Sequence, residues 1–448
     1  MNHDENSDLY AYLESVNSLE SRTIMPHRPP SLESTQAGLE RIGYFETEFF
    51  KAEKPTSGKV ILVAGTNGKG SVCSTLHTLL TAAGERVGLY TSPHLVETTE
   101  RIRLGACDIS ETHFSKTHDF VAQVTEDLDL SHFEMLTLMA VHFFTSGKFV
   151  NPVQRMILEV GLGGTWDSTN AVPHDLCVIT RLGFDHQNLL GSSLKEIASN
   201  KFGIVCTGAT VFHLPFQDEL KSLTQEAKEE TRSSWNKIEV FEKKVFMSDT
   251  GEPNYKIQTK WGDAMIKLPG ERGIENTSLA LSVFAHLGYD PTQFLKSLAL
   301  VKWPGRMEML EGYAGPGTIF LSGDHNPQGI ESLISLLKDY PKKHIRFLVG
   351  VGEEKELDGI LAPLFAIENS TVYLTETPFK GRKIEAYGVW KTHAACCEED
   401  PSKALSIMMS EMKEGDMGVV TGSLYLVGKI KKLYSKKLVM FDHVILNN

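Results

Sequence analysis

Short runs of β-branched and aliphatic residues recur along the chain, and each is followed by a turn and then by apolar residues at helical spacing. The first clear run is Val60, Ile61, Leu62 and Val63, with no polar member, as expected of a parallel strand covered on both faces. Gly65, Gly68 and Gly70 break it. Val72, Leu76, Leu79, Leu80 and Ala83 then share one helical face, with Gly84 where a helix C-terminal glycine belongs. Further strands are predicted at 87–91, 156–160, 176–180 and 210–214, and helices at 111–127, 134–146 and 217–232. Upstream, residues 8–50 read as helices broken at His27, Arg28, Pro29 and Pro30, one opening at Leu9 and another over 34–45. Ile238 to Leu268 alternates in places as hairpin strands do, starting with Ile238 and Val240 and turning at Gly251, Glu252, Pro253 and Asn254. A helix from Gly270 to about His286 and another after it lead to Lys302, Trp303, Pro304 and Gly305. Beyond this punctuation, strands recur near 318–322, 345–351, 371–375 and 417–421 with helices between them. The alternation predicts an α/β fold with mostly parallel sheet, divided into domains 1–302 and 303–448.

Composition changes this picture only at the margins. The 448 residues leave room for two or three domains, and 41% hydrophobic with 23% charged residues is ordinary for a globular protein. A net charge of −12 argues against nucleic-acid binding, so a polyanionic ligand needs a local cluster of cations. Six cysteines lie scattered without metal-site spacing, Cys396 directly beside Cys397, and read as reduced thiols of a cytoplasmic enzyme. The polar, acidic start from Met1 to Asn6 does not read as a signal peptide. No apolar run approaches the roughly 18 residues of a membrane span, so no membrane partner is expected.

The chemistry starts at the first glycine turn. Strand, glycine turn and helix is the context in which backbone N–H groups and a helix N-terminus cradle an anion. Gly65, Thr66, Asn67, Gly68, Lys69, Gly70 and Ser71 are therefore candidate nucleotide-binding residues, with Lys69 reaching outer phosphates and the Ser71 hydroxyl available to Mg²⁺. The strict phosphate-loop pattern is not met: Val63 stands where a glycine is wanted, and Gly70 follows Lys69 where Ser or Thr is wanted. An ordinary strand–helix turn is the competing reading. A second pointed stretch is Met156, Ile157, Leu158 and Glu159, an apolar strand ending in a carboxylate before Gly161, Gly163 and Gly164. A buried carboxylate needs a partner, either a Mg²⁺ beside the phosphate loop or a lysine or arginine at the sheet edge.

The sequence Gly-Thr-Asn-Gly-Lys-Gly-Ser at 65–71 resembles the phosphate loop of the folylpolyglutamate synthase / dihydrofolate synthase branch of the Mur ligase superfamily. Four further stretches resemble that branch in order: 159–170 with Asp167, Ser168, Thr169 and Asn170; 185–204; 303–308; and Gly422, Ser423, Leu424, Tyr425, Leu426, Val427 and Gly428. Ser92, Pro93, His94 and Leu95 with Glu100, Arg101 and Ile102 resemble its substrate loop, with Thr99 where Asn is usual. The resemblance implies a P-loop Mur-ligase-like ATP-binding domain over 1–302 and a smaller Rossmann-like glutamate-ligase domain over 303–448.

It also implies the reaction. ATP phosphorylates a carboxylate of dihydropteroate or a reduced folate, and the amine of L-glutamate displaces the phosphate. Lys69, Lys201 and His325 are the implied catalytic residues, and Asn276 and Arg306 the implied further nucleotide contacts, Arg306 reaching phosphates across an interdomain cleft. Ser71, Glu159 and His186 are the implied ligands of two Mg²⁺ sites, Glu159 and His186 serving the second, where Mn²⁺ would fit somewhat better. The family allows a monovalent cation as well. In the superfamily the lysine at position 201 is often carbamylated. Ser92, Pro93 and His94 would contact folate, and His325, Ser423 and Tyr425 would lie near glutamate, in a monomeric enzyme.

Several positions depart from the family pattern: Thr165 and Trp166 for Arg-Leu, Asn200 for Glu, Arg272 and Gly273 for His-Gln, Ser322 for Asp, and Asp324 for Ala. A shift of the carboxylate from 322 to 324 would keep it on the same strand face. Two other readings stay open. One is a cell-wall-type ligase with a nucleotide-linked acceptor; the other is a nucleotide-binding protein without ligase activity, for which these departures speak.

Overall fold

The computed structural model describes residues 3–22, 59–247 and 253–445. The expected helix over 34–45 and the Gly251–Glu252 part of the hairpin turn lie outside the described residues. The chain forms two compact units. One comprises Met1–Glu242, Gln258–Met265 and Ile274–Val301, the other Lys243–Ile257, Ile266–Gly273 and Lys302–Asn448.

The first unit opens with α1 (His3–Ser21) and then β1 (Val60–Ala64), α2 (Lys69–Ala82) and β2 (Val87–Tyr90). β3 (Ile102–Leu104) and β4 (Cys107–Asp108) precede α3 (Glu111–Val124), α4 (His132–Thr145), β5 (Arg155–Glu159) and β6 (Leu176–Ile179). A short α5 (Gln187–Leu190), α6 (Leu194–Phe202), β7 (Thr210–His213), α7 (Lys221–Thr231) and β8 (Ser234–Lys237) follow. One eight-stranded sheet has the order β4-β3-β2-β5-β1-β6-β7-β8. From β2 to β8 neighbouring strands run parallel, and β3 and β4 add an antiparallel edge. β1 is buried at every position, which is why its sequence carries no polar residue. Gly84, with φ +88°, ends α2: its N–H bonds to Thr81 O and that of Glu85 to Leu80 O, a paired C-terminal cap. At the start of α4, Ser131 and Glu134 cap each other's backbone.

Ile238 and Val240 do not begin a hairpin. The strand is β8, four residues earlier, and it joins the large sheet beside β7. The pull is packing: Trp235 stands edge-on to Phe202 and His213, with centroids 4.9 and 5.5 Å away. β9 (Glu242–Met247), β10 (Pro253–Thr259) and β11 (Gly262–Ile266) form a separate sheet, followed by α8 (Gly270–His286). The expected helix before Lys302 is a pair of 3₁₀ segments, Pro291–Gln293 and Leu295–Leu300.

In the second unit β12 (Arg306–Met309), β13 (Thr318–Ser322), α9 (Pro327–Leu337), β14 (Ile345–Val349), α10 (Asp358–Phe365) and β15 (Ser370–Thr375) are succeeded by α11 (Trp390–His393), β16 (Cys396–Glu398), α12 (Pro401–Glu411), β17 (Met417–Thr421) and α13 (Leu424–Ile445). Its sheet has the order β12-β13-β17-β14-β15-β16, parallel except for β12. The short edge strands β12 and β16 escape sequence reading because neither carries an apolar run.

The aromatic core carries an acid-sensitive group. The His142 ring stacks on Phe120 at 4.2 Å, and Lys148 Nζ sits 3.5 Å from the Phe120 centroid. Burial, then Lys148, lowers the His142 pKa to about 4. An unfolded chain takes up this proton near its ordinary value of 6.5, so the folded state loses stability as pH falls from about 6.5 towards 4. His142→Phe keeps the ring stack and removes the titration. Its thermal midpoint should fall less than that of the parent between pH 7 and 4.5, a relative gain of about 2 kcal/mol at the acid end. Identical acid limbs would show that His142 is protonated in the folded protein.

Candidate functional site

β1 lies between β5 and β6, so the turns leaving these three strands meet at one end of the sheet, the usual place for a ligand in an α/β fold. The loop after β1 is shaped by contacts to the chain beyond β6. Thr66 and Asn67 N–H groups both donate to Arg181 O, at 2.9 and 3.3 Å. Thr180 Oγ1 donates to Asn67 O, and Thr66 Oγ1 to Gly183 O. Gly65 has φ +147° and Gly68 φ +96°; a Cβ at the first would overlap the Thr180 side chain and at the second the Asn276 carboxamide. Val72 N–H is the first to bond back into α2, to Gly68 O. The N–H groups of Lys69, Gly70 and Ser71 precede it at the positive end of the helix, where they can meet an anion. Asn276 is thus packed on the loop. Arg181 pairs in bidentate fashion with Glu275, one residue before it, which fixes the start of α8. Neither Arg181 nor Glu275 carries a local sequence signal.

Two lysines converge on one carbonyl: Lys69 Nζ donates to Gly65 O at 3.2 Å and Lys201 Nζ at 3.0 Å. Lys201 is only 4% exposed. Burial first, then the charge of Lys69, lowers its pKa to about 7, against the pull of Asp185 and Asp167.

Glu159, 4% exposed, ends β5 in register with Val63 of β1. Its Oε2 accepts from Ser92 N at 3.2 Å, which ties the end of β2 to the carboxylate. The buried Cys73 thiol marks how close these charges lie: burial and then Glu159 push its pKa up, while Lys69 opposes them. The glycine turn after Glu159 is held by Asp167, whose Oδ2 accepts from Leu162 N and whose Oδ1 accepts from Thr169 N and Oγ1. Thr165, one of the departures, bonds to Asn200 O through both N–H and Oγ1.

The Ser92, Pro93 and His94 segment is braced by the residues that follow it. The Glu100 carboxylate accepts the N–H groups of Leu95, Val96 and Glu97, and the buried Arg101 donates to His94 Nδ1 at 2.9 Å. His186 caps α5 at φ +50°, with its side chain 38% exposed and Asp185 Oδ1 accepting its N–H. Among the described residues no group of three or more His, Cys, Asp or Glu side chains is drawn together as a metal centre.

The second unit joins the turn that carries His325 to the turn that carries Ser423 and Tyr425. β13 and β17 are parallel neighbours, and the turns that leave them are cross-linked: Gly422 N and Thr421 Oγ1 both donate to Asp324 O. His325 Nδ1 lies 2.9 Å from Gly323 O. A carbonyl only accepts, so Nδ1 carries the proton and neutral His325 has its lone pair on Nε2. Asn326 caps α9 through Gly329 N. Ser423 is buried, and the 40% exposed Tyr425 ring lies 5.0 Å from Phe379, an aromatic neighbour the sequence did not suggest. Arg306 begins β12, its guanidinium next to Gly323. Asp324 lies beyond the end of β13, yet its carboxylate accepts from Ser322 Oγ at 2.7 Å. The displaced carboxylate therefore reaches position 322 through a turn rather than along a strand face. All six cysteines are free thiols, and no helix among the described residues is long and apolar enough to cross a membrane.

Residues 305–424 match the family model for the Mur ligase glutamate ligase domain. A dihydrofolate synthase/folylpolyglutamate synthase of Mycobacterium tuberculosis is 30% identical over 350 residues, 70% of this chain and 69% of the relative. A crystal structure of M. tuberculosis folylpolyglutamate synthase complexed with ADP and AMPPCP superposes with TM-score 0.81 at 26% identity, covering 95% of this chain and 99% of the other. A bifunctional folylpolyglutamate synthase/dihydrofolate synthase from Yersinia pestis, complexed with AMPPNP and a Mn ion, superposes with TM-score 0.76 at 26% identity, covering 94% and 97%. With the fold matched over nearly its whole length and the glycine loop, Glu159 and Lys201 gathered at one end of the sheet, the chain belongs to the folylpolyglutamate synthase / dihydrofolate synthase family of Mur ligases.

Proposed function

We propose that this chain is an ATP-dependent ligase that joins L-glutamate to a carboxylate of dihydropteroate or of a reduced folate through an acyl phosphate. The observation that carries the reading is the meeting of Lys69, Lys201 and Glu159 around a glycine loop at the ends of β1 and β5. Backbone N–H groups at the start of α2 hold the ATP phosphates, and Lys69 leaves Gly65 O to neutralise the phosphoryl group in transfer. Asn276, packed on Gly68, is the further nucleotide contact. The buried Glu159 carboxylate, the Ser71 hydroxyl and the His186 imidazole are hard or borderline donors that fit Mg²⁺ or Mn²⁺, with Lys201 as a further ligand once carbamylated. Bound there, the cation neutralises phosphate charge. Ser92 and His94, held by Glu159, Arg101 and Glu100, line the acceptor side.

In this reading residues 1–302 bind ATP and the acceptor, and residues 303–448 bind L-glutamate through His325, Ser423 and Tyr425. His325 Nε2 takes a proton from the glutamate ammonium, and the free amine forms the C–N bond as phosphate leaves. The enzyme acts as a cytoplasmic monomer with no nucleic-acid or membrane partner; six free thiols fit a reducing compartment, and a net charge of −12 disfavours nucleic acid.

The test is phosphate release from ATP and Mg²⁺ with L-glutamate, comparing dihydropteroate, tetrahydrofolate and neither. Release stimulated by dihydropteroate alone means a dihydrofolate synthase, by tetrahydrofolate alone a folylpolyglutamate synthase, and by both a bifunctional enzyme. ATP binding with no stimulated release by either pterin would sink the ligase reading.

A further inference from the structure

Two charged side chains far apart in the sequence meet in the second unit. Arg272, in the first turn of α8, donates through one terminal guanidinium nitrogen to Asp324 Oδ1 at 3.2 Å and through the other to Gln328 O. Asp324 uses its other carboxylate oxygen to accept from Ser322 Oγ. Both ionic side chains are shielded, 20% and 15% exposed, so the pair is protected from full solvent screening. Beside Arg272, a Cβ at Gly273 would overlap the Leu268 carbonyl, so this path of the chain requires glycine there.

We infer that Arg272, Asp324 and Ser322 form one positioning unit that sets the affinity for L-glutamate. The inference rests on the ligase reading above and deepens it. Asp324 joins the two turns. Its carboxylate is gripped by Arg272 and Ser322 while its carbonyl accepts Gly422 N–H and Thr421 Oγ1–H. The next residue is His325, and the residue after Gly422 is Ser423. Arg272 therefore acts on the amino acid through two turns: it holds Asp324, and Asp324 holds the backbone that presents His325 to the backbone that presents Ser423. Gln328 O, the second grip of Arg272, lies in the first turn of α9, so the guanidinium also fixes the helix that follows the His325 turn. A charge-assisted pair of this kind is directional, and a lysine, with a point charge and no fork, cannot hold Asp324 and Gln328 O in the same geometry.

The experiment is a double-mutant cycle on the full-length enzyme with Arg272→Ala, Asp324→Ala and the double variant, and Arg272→Lys as the conservative replacement. KM for L-glutamate, KM for ATP, kcat and thermal midpoint are measured for each. Arg272→Ala and Asp324→Ala are each expected to raise KM for glutamate about tenfold with KM for ATP unchanged, and the double variant to be no worse than the weaker single. Arg272→Lys should recover only part of the loss. Additive effects, or equal changes in both KM values that follow the thermal midpoint, would overturn the positioning role. Failure of the parent enzyme to ligate glutamate at all would instead overturn the ligase reading, so the two failures are distinct. If a single variant does not fold, Ser322→Ala removes one grip on Asp324 with a smaller lesion; it should raise KM for glutamate alone, and an unchanged value counts against the unit.

Discussion

Lys69→Ala is expected to lower kcat/KM for the ATP-dependent reaction by about 10³-fold, with the fold intact, since loss of one preorganised charge from a transferring group costs 10²–10³ in favourable sites. Lys69 is the first residue of α2, and its ammonium already points back along the loop to Gly65 O. The buried Lys201 donates to the same carbonyl. A structural role would show as a lower thermal midpoint. The opposite is expected: removing Lys69 relieves the second cause of the depressed Lys201 pKa, so the midpoint holds or rises slightly below pH 7. Activity within tenfold of the parent would mean that Lys69 does not meet the phosphoryl group.

Lys201→Gln is the second large expectation, a loss of about 10²-fold in activity. Lys201 Nζ is held at 3.0 Å from Gly65 O inside a buried site, and its pKa is lowered to about 7 by burial and then by Lys69. Between about 7 and its ordinary 10.5, the unfolded chain carries the proton that the folded chain has lost, so stability rises with pH across that window. Below pH 7 both states are protonated and the cost of burying the ammonium is fully present. The same shift makes the amine neutral at pH 8, and a neutral amine is the form that adds CO₂. Enzyme freed of CO₂ should therefore regain activity with bicarbonate at pH 8 and much less at pH 6, whereas Lys201→Gln should not respond at either pH. A parent enzyme indifferent to bicarbonate at both values would leave Lys201 as a structural clamp on the loop.

The sequence alone determined the local elements whose geometry is set by neighbouring residues. An all-apolar run before clustered glycines can only be a buried strand entering a tight turn, and β1, the Gly65 and Gly68 conformations and the capped end of α2 followed from that. Glu159 stood out because a carboxylate closing an apolar strand must have a partner. His325 and Ser423 were legible only through family likeness, as both turns look ordinary in isolation.

Tertiary structure decided everything that depends on residues far apart in the chain. Arg181 shapes the glycine loop after β1 through its carbonyl and pins α8 through its side chain, yet nothing near it in sequence marks it. Thr165 finds Asn200, and Arg272 finds Asp324, fifty-two positions away. β8 was missed because the Phe202, His213 and Trp235 cluster recruits a polar stretch into the sheet, and β12 and β16 because edge strands need no apolar face. The physical reason is common to all of these. Periodicity and turn chemistry report what a residue's neighbours in the chain demand, whereas pairing of charges and closure of a sheet edge are settled only when distant segments are packed side by side.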